Sequence, residues 1–321
     1  MAARIPKTMR AAAIDRFGGP EVLTLHELPL PEIDTNEVLI KLHTSGVGPW
    51  DADIRGGWWP EGRPKFPVVL GTDGSGTVAA AGSRVRRLGD GEKVYSYVWG
   101  NPKGGFYAEY VAVPAEKAAP IPKHMDLRQA GGCATTGLTA LQGVDNALKV
   151  KRGETVIIHG ASGGVGTLAV QFAKLRGARV FATASGKDGV ALVRKLGADM
   201  AVDGTQDDIT GAARSFAPAG VDAVLAFAGK RLTECIEALR PGGRVAYPNG
   251  VEPAPRKRSG IKVVSYDGIS GAREFERLNS AVDAAKLRVP IATVFPLTQA
   301  AKAHQRVQAG HVLGKIVLSI R

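Results

Sequence analysis

Apolar positions in the middle of the chain change from a continuous run to a helical spacing. Residues 155–159 (TVIIH) form a short run rich in Val and Ile, of the length of a buried parallel strand. Gly177 ends the segment that follows, and residues 179–184 supply another apolar strand. The pattern therefore predicts a strand, a helix and a second strand in one unit. The apolar face of the predicted helix consists of Val165, Leu168, Ala169, Phe172 and Leu175.

Glycines crowd the junction between the first strand and this helix. A strand that bends abruptly into a helix needs glycine where the backbone turns tightly, and the first N–H groups of the helix attract an anion. The spacing is Ala161-x-Gly163-x-x-Gly166, with alanine at the usual first glycine of the dinucleotide fingerprint. We interpret the turn as a pyrophosphate site; the alternative is a tight turn without a ligand. The predicted cofactor-binding residues here are Gly160, Ala161, Ser162, Gly163, Gly164, Val165 and Gly166.

The end of the second strand bears on the form of the cofactor. An acid at this position would bind the ribose 2′-hydroxyl of NAD and repel a 2′-phosphate. The strand ends instead in Ser185-Gly186-Lys187, where a hydroxyl and an ammonium can serve a phosphate. We therefore predict NADP(H), bound at its phosphate by Ser185 and Lys187. The alternative is that Lys187 is a solvated loop lysine, since Asp188 stands beside it.

The remaining pattern divides the chain into two styles. Residues 10–122 contain short alternating β segments separated by Gly and Pro, which predicts a small β-barrel. From about Ala130 onward strands and helices alternate, which is typical of a parallel sheet, and Asp126 is the predicted N-cap of a helix over residues 129–141. Further strands are predicted at 200–203, 221–228 and 243–248, helices at 274–287 and 297–308, and a closing strand at 314–318.

We thus predict an α/β protein with two domains. Residues 1–128 and 269–321 form the barrel domain, because the closing strand is expected to return to it, and residues 129–268 form the doubly wound dinucleotide-binding domain. A cleft between the two domains would hold the reactive end of the cofactor and the substrate.

Composition narrows the class of protein further. The 321 residues include 42 Lys and Arg against 30 Asp and Glu, a net charge of +12, but no aromatic residues alternate with the basic ones as in a nucleic-acid platform. Cys133 and Cys235 are the only cysteines, too few for a disulfide framework or a zinc cage. Apolar stretches stay below the length of a membrane span, and we see no signal-peptide core. We expect a cytoplasmic protein with a small-molecule substrate; a nucleic-acid partner is not favoured.

Eight stretches in order give the chain a resemblance to a known family. It resembles the medium-chain dehydrogenase/reductase superfamily, in its zinc-free quinone oxidoreductase branch, similar to zeta-crystallin. The resemblance implies a GroES-like domain, an inserted Rossmann domain and a homodimer formed near residues 261–266. The matching stretches are MRAAAIDRFGGPEVL (9–23), SGVGPWDADIRGG (45–57), LGTDGSGTVAAAG (70–82), GGFYAEYVAVP (104–114), TTGLTALQ (135–142), GASGGVG (160–166), LRPGGRVAYPNG (239–250) and GHVLGKIVLSI (310–320).

The resemblance also bears on metal chemistry. Zinc-dependent relatives place a cysteine ligand where this chain has Gly48, and a histidine ligand where it has Thr72. Neither residue serves zinc, and the four-cysteine structural lobe is missing. We therefore expect no metal and a hydride transfer from NADPH to a quinone or another conjugated carbonyl. Alternatives are a 2-alkenal or enoyl reductase on the same scaffold, and a nucleotide- or RNA-binding protein without turnover.

The matching motifs also supply candidate pocket residues. Asp51 has two interpretations, orienting the nicotinamide ribose or capping a helix that starts near Ala52. Thr139 matches a position that faces nicotinamide in relatives, although a helix threonine often bonds to its own backbone. Trp58 and Trp59 could stack on a quinone or simply pack in a loop. The candidates are Trp50, Asp51, Asp53, Trp58, Trp59, Thr135 and Thr136 for the substrate, with Thr139, Tyr247, Asn249 and Gly250 near the cofactor.

Several positions depart from the family pattern. Quinone oxidoreductases often carry an asparagine at the position of Gly48 and tyrosines at those of Asp53 and Trp59. They also carry a lysine near Gly189 and a tyrosine near Gly204 for the NADP phosphate. Without that pair, phosphate binding would rely on Ser185, Lys187 and Arg194. His159 and His311 have no evident acidic partner in the sequence, so we expect both to be structural.

Overall fold

The computed structural model describes residues 5–59, 62 and 64–321. Its strands are β1 Thr8–Ile14, β2 Leu23–Pro29, β3 Glu37–Val47, β4 Val68–Val69, β5 Asp73–Ala81, β6 Lys93–Tyr97, β7 Tyr110–Pro114, β8 Ala118–Pro120, β9 Thr155–His159, β10 Arg179–Ala184, β11 Met200–Asp203, β12 Val221–Ala226, β13 Leu239–Pro248, β14 Lys262–Tyr266, β15 Ile291–Pro296 and β16 Lys315–Ser319. Its helices are α1 Pro49–Gly56, α2 Leu127–Gly131, α3 Ala134–Gln142, α4 Gly164–Leu175, α5 Gly186–Lys195, α6 Ile209–Phe216, α7 Leu232–Glu237, α8 Ala272–Ala285 and α9 Ala300–Gln308.

Six parallel strands form the sheet of the dinucleotide-binding half. Their spatial order is β11-β10-β9-β12-β13-β14, so the chain order reverses between β9 and β12. Ligands of such sheets bind beyond the carboxyl ends of the strands at this reversal. Every residue of β9 is buried, as expected for a central strand with helices on both faces. The predicted α/β class and the predicted parallel sheet are confirmed.

The helix after β9 packs as its apolar spacing predicts. Leu168, Ala169 and Phe172 of α4 are fully buried in the largest hydrophobic cluster, and Val165 and Leu175 pack against its edge. Gly177 has φ 76°, a left-handed conformation that terminates the helix before β10. The same cluster takes in α8 through Phe275, so this helix of the tail covers α3 and α4.

The remaining strands form two antiparallel-rich sheets in the other half of the protein. One has the order β2-β1-β4, and the other has the order β15-β16-β3-β5-β6-β8, with β7 also paired to β3. Strand β16 is antiparallel to β3, so the tail of the chain returns to the sheet built by the first residues. Their core contains Phe106, Tyr107 and Ile40. The predicted return of the closing strand is confirmed, whereas the boundaries of the two predicted domains stay a prediction.

The helix predicted over residues 129–141 is interrupted. Asp126 caps α2 as predicted, accepting a hydrogen bond from the Gln129 amide at 2.7 Å, but α2 ends at Gly131 and α3 begins at Ala134. The Asp73 carboxylate of β5 accepts the amide of Thr135 at 3.0 Å and so caps the new helix from another element. Because this cap comes from 62 residues away in the chain, local spacing does not reveal it.

Across the described ranges, we find no helix that is both long and apolar enough to cross a membrane.

Candidate functional site

The glycine turn after β9 has the geometry of an anion site. Gly160 is left-handed, with φ 75°, and Gly163 is the N-cap of α4. No side chain caps α4 within the described structure, so the first N–H groups of the helix are left for a ligand. A Cβ on Gly163 would meet only the Gly160 carbonyl oxygen, at 3.6 Å, which means that the space above it is open. The turn therefore fits a dinucleotide pyrophosphate.

Close packing behind the turn explains the third glycine of the motif. A Cβ on Gly166 would overlap the carbonyl oxygen of Gly160 and would lie 2.7 Å from the Cα of Ala161. Glycine at this position lets α4 fold directly back onto the turn. Gly164 is less crowded, since its Cβ would lie 3.4 Å or more from its neighbours.

The segment before β16 lies along this turn and belongs to the candidate site. The Gly314 amide donates to the Ser162 carbonyl at 2.8 Å, and Gly163 and Gly314 form an isolated parallel bridge. Lys315 follows directly, and its Cδ would lie 3.5 Å from a Cβ on Gly164. The C-terminal strand thus connects the sheet of the first residues to the dinucleotide turn.

The end of β10 holds the predicted phosphate residues. The Ser185 amide donates to Ser162 Oγ at 3.3 Å, and the Ser185 hydroxyl lies 3.0 Å from His311 Nδ1. His311 Nε2 lies 3.0 Å from Asp188 Oδ2, and this hydrogen bond is the main influence that lowers the pKa of Asp188 below its ordinary value. Lys187 is exposed at the same turn. Asp188 is 123 residues away from His311 in the chain, which is why the sequence shows no evident acidic partner for this histidine.

Beside Lys315, the indole ring of Trp50 fills the space that a side chain at position 48 would take. A Cβ on Gly48 would collide with the Trp50 ring, and the Trp50 Nε1–H donates to Thr72 Oγ1 at 2.8 Å. Gly48 and Thr72 are the positions that carry zinc ligands in zinc-dependent relatives. In this chain the Trp50 ring fills the space beside Gly48, and its part-buried hydrogen bond reaches Thr72.

A buried lysine covers the face of that indole. Lys315 Nζ lies 4.6 Å from the centre of the Trp50 ring, and the residue is only 4 % exposed. Of the five buried side-chain N or O atoms that lack a hydrogen-bond partner within the described ranges, four lie in this region. Buried polar atoms are rarely left unpaired, so their concentration here indicates a site for a polar ligand group. The four atoms are Asp51 Oδ1, Asp73 Oδ1, Thr135 Oγ1 and Lys315 Nζ.

Asp51 ends a directed chain of buried hydrogen bonds. Arg55 Nη1 donates to His304 Nδ1 at 3.0 Å, which leaves His304 Nε2–H to donate to the Tyr107 hydroxyl at 3.2 Å. Tyr107 donates to Asp51 Oδ2 at 3.2 Å, and Gly48 N donates to the same oxygen at 2.8 Å.

Burial is the main influence on the two titratable ends of this network. It raises the pKa of Asp51 to about 7, against the lowering effects of the Gly48 amide and Lys315, and Asp73 raises that pKa further. It lowers the pKa of His304 to about 3, and the Arg55 charge acts in the same direction. Asp51 is fully buried and accepts the Gly48 amide from the third position of α1. The helix thus starts at Pro49, before Asp51, and not near Ala52 as the capping interpretation expects.

The other candidates from the sequence have varied surroundings in the structure. The Thr139 and Thr136 hydroxyls donate to the backbone of their own segment, at Thr135 O and Gly132 O, both at 2.8 Å. Asn249 donates to Asp267 at 2.7 Å, and Gly250 has no atom within 4 Å of its missing Cβ. Tyr247 is half-buried, and Asp53 is exposed.

Two exposed tryptophans lie in the half of the protein that holds the antiparallel-rich sheets. Trp58 is 51 % exposed and Trp99 is 39 % exposed, and their ring centres are 5.5 Å apart. Val98, beside Trp99, donates its amide to the Thr72 carbonyl at 2.9 Å, which places the pair near the Trp50 hydrogen bond. Trp59 packs against the barrel core. The sequence analysis missed Trp99 and Lys315, because nothing in their local sequence distinguishes them from surface residues.

His159 has a structural environment, as expected. Its Nδ1 lies 2.7 Å from the Thr183 hydroxyl, and its Nε2 lies 2.9 Å from the Lys230 carbonyl, while burial lowers its pKa. Residues 5–59, 62 and 64–321 contain no group of three His, Cys, Asp or Glu side chains that could hold a metal ion.

Comparisons with known proteins agree with this architecture. Residues 34–123 match the family model for the alcohol dehydrogenase GroES-like domain, and residues 196–318 match that for zinc-binding dehydrogenase. The quinone oxidoreductase of Sus scrofa is 33 % identical over 329 residues, which cover 97 % of this chain and 98 % of the relative. The chloroplastic NADPH-dependent alkenal/one oxidoreductase of Arabidopsis thaliana is 31 % identical over 325 residues, covering 98 % and 81 %.

A solved structure has the same fold over nearly the whole chain. The crystal structure of an NAD-dependent alcohol dehydrogenase superposes with a TM-score of 0.90 at 31 % identity, covering 98 % of this chain and 100 % of that one. The glycine turn, the parallel sheet and these similarities together confirm a nicotinamide dinucleotide as the cofactor and a GroES-like domain beside the sheet. The chain belongs to the medium-chain dehydrogenase/reductase superfamily, in its quinone oxidoreductase branch.

Proposed function

We propose that this oxidoreductase transfers a hydride from NADPH, without a metal, to a quinone or another conjugated carbonyl acceptor. The observation that carries the proposal is the placement of Trp50. Its ring occupies the space beside Gly48 and its N–H donates to Thr72, and these are the two positions where zinc ligands stand in zinc-dependent relatives. Neither an indole nor a glycine is a zinc ligand, and a lone hydroxyl does not make a site. An acceptor that is already electrophilic needs no metal to activate it.

The unpartnered buried groups support a site for the acceptor oxygen. The dinucleotide supplies the hydride, and one proton completes the reduction. Negative charge develops on the acceptor oxygen during hydride transfer, and a preorganised cation and hydroxyl stabilise it. Lys315 Nζ and Thr135 Oγ1 offer these two groups, and neither atom has a hydrogen-bond partner in the described residues. The buried surroundings strengthen their effect, because they exclude water.

Two further features support the choice of cofactor and acceptor. Ser185 and Lys187 at the end of β10 suit a 2′-phosphate, and the Arabidopsis relative is named as NADPH-dependent. The exposed Trp58 and Trp99 rings offer apolar faces to a planar quinone. A short 2-alkenal is the second candidate acceptor, since that same relative is named for alkenals.

Steady-state oxidation of NADPH tests the proposal directly. A naphthoquinone and a short 2-alkenal are compared as acceptors, with and without prior treatment with a chelator, and the zinc content is measured. We expect turnover that the chelator does not change and a zinc content far below one per chain. Activity that disappears with the chelator and returns with zinc would contradict the metal-free reaction. No turnover of either acceptor would contradict the proposed substrate class.

Lys315→Met tests the role of the buried ammonium in the same assay. We expect kcat to fall by about 100-fold, the order of magnitude for a lost oxyanion donor, while NADPH affinity changes less. Lys302→Met removes an exposed lysine from α9 and serves as the matched control. If both variants keep full kcat, Lys315 has no part in the reaction. A melting curve with bound NADPH verifies that the variant is folded.

A further inference from the structure

His311 makes a connection between the two halves of the protein at the ribose end of the cofactor site. It belongs to the segment that leads into β16, yet its ring contacts Ser185 and Asp188 after β10. The imidazole and the Asp188 carboxylate are both about half exposed, at 48 % and 59 %. A ligand can therefore reach this pair without any rearrangement of the core.

The backbone of His311 has an uncommon conformation that the surrounding structure maintains. Its φ is 48°, in the left-handed region that few residues other than glycine adopt, and such strain concentrates at functional positions. Arg306 stabilises the turn by donating to the Gly310 carbonyl at 2.7 Å and to the His311 carbonyl at 3.0 Å. A Cβ on Gly186 would lie 3.2 Å from His311 Cε1, so the ring packs directly on the turn that starts α5.

Two carboxylates near this turn would oppose a phosphate. Asp188 lies in the first turn of α5, and Asp203 at the end of β11 pairs in register with Ala184 at the end of β10. Thr205 first, and the His311 charge to a smaller extent, lower the pKa of Asp203, so both groups are negative at neutral pH. An acid beside the ribose favours a 2′-hydroxyl over a 2′-phosphate. A compensating cation is needed if NADPH is to bind.

We propose that His311 is the positioning residue that makes this site selective for the 2′-phosphate of NADP(H) over the 2′-hydroxyl of NAD(H). When His311 carries both ring protons, it can donate through Nε2 to Asp188 and through Nδ1 to Ser185 Oγ. The first bond neutralises the carboxylate, and the second directs the Ser185 hydroxyl hydrogen toward the ligand. Lys187 then pairs with the 2′-phosphate, because His311 already compensates the negative charge of Asp188 beside it. The inference rests on the proposed function, since it concerns the same cofactor site.

Dissociation constants for NADPH and NADH, measured by fluorescence titration, test this role in the full-length protein. His311→Asn removes the imidazole and keeps a residue type that tolerates the left-handed backbone. We expect its NADPH dissociation constant to rise by about tenfold, as for the loss of a charge-assisted contact, with NADH affected by less than about twofold. His124→Asn removes an exposed imidazole outside the site and should change neither value.

A double variant separates selectivity from a merely structural role. Asp188→Asn combined with His311→Asn removes the uncompensated carboxylate, so NADPH affinity should recover to within about threefold of the original protein. An equal loss for both cofactors in His311→Asn, an unchanged ratio, or no recovery in the double variant would overturn the inference. If the unmodified protein binds neither cofactor, the proposed function itself fails, and that outcome is distinguishable because it precedes any substitution.

Discussion

Asp51 and His304 lie in one hydrogen-bonded network, yet burial shifts their pKa values in opposite directions. It raises the pKa of Asp51 and lowers the pKa of His304. Asp51 moves from 3.8 to about 7, so the folded protein holds a proton there that the unfolded chain releases above pH 4. This makes stability fall as pH rises from about 4 to 7. His304 moves from 6.5 to about 3, so the unfolded chain holds a proton that the folded protein refuses. Stability from this group is lost as pH falls from 6.5 to 3.

We expect these two contributions to cancel between about pH 4 and pH 6.5, so that only single variants reveal them. Asp51→Asn keeps an acceptor for Gly48 and Tyr107 and removes the contribution to stability that falls as pH rises. The difference in unfolding free energy, variant minus original, should rise with pH by roughly 1 kcal/mol per unit across this range. His304→Gln should give a difference that falls with pH. Urea unfolding at several pH values measures both.

The control for this pair is the double variant Asp51→Asn/His304→Gln. It lacks both groups, so its pH dependence should resemble that of the original protein over the same range. If Asp51→Asn and the original protein have parallel stability curves, Asp51 has no raised pKa in the folded state.

Among the elements, two glycines in the turn between β9 and α4 are expected to have different roles. Gly166 is needed for close packing in the folded protein, and Gly163 for binding the pyrophosphate. Gly166→Ala forces a Cβ into the Gly160 carbonyl, and overpacking of this kind costs about 2 kcal/mol. Gly163→Ala places its Cβ in open space, so the loss of stability should stay below about 1 kcal/mol, while the methyl group obstructs the pyrophosphate.

Thermal unfolding and NADPH titration of both variants test this contrast. We expect a lower melting temperature for Gly166→Ala without ligand, and a weaker NADPH affinity at nearly unchanged melting temperature for Gly163→Ala. The reverse pattern, or equal effects at both glycines, would mean that the diphosphate does not rest on this turn.

Elements whose cause is local could be predicted from the sequence, and those with distant causes could not. The apolar spacing of β9 and α4 and the cap at Asp126 are local, and the structure confirms them. The break between α2 and α3 depends on Asp73, which is 62 residues away. The same limit applies in the candidate site. Its glycines were visible, whereas the His311–Asp188 pair and the orphaned Lys315 ammonium result from the return of the tail.

At the scale of the whole molecule, β14 leaves one side of the parallel sheet open. It pairs with β13 on one side, and the sheet order ends there. Lys262 and Ser265 are exposed, and no described strand covers the outer edge. An uncovered edge of this kind invites another strand, and a two-fold axis beside β14 would join two six-stranded sheets into one of twelve. The open edge of β14 thus favours a dimer at residues 261–266, the region that the family resemblance also implies.

We expect sedimentation equilibrium to give twice the mass of one chain at micromolar concentrations. Amide hydrogens of β14 should then exchange slowly in the dimer and faster on dilution, because only pairing across the axis protects the outer edge. Ser265→Pro removes a backbone N–H at this edge and should shift the equilibrium toward monomers, whereas Ser265→Ala should not. A monomeric mass at all concentrations would show that β14 is an ordinary edge strand. A dimer whose β14 amides exchange at the monomer rate would place the interface on another surface.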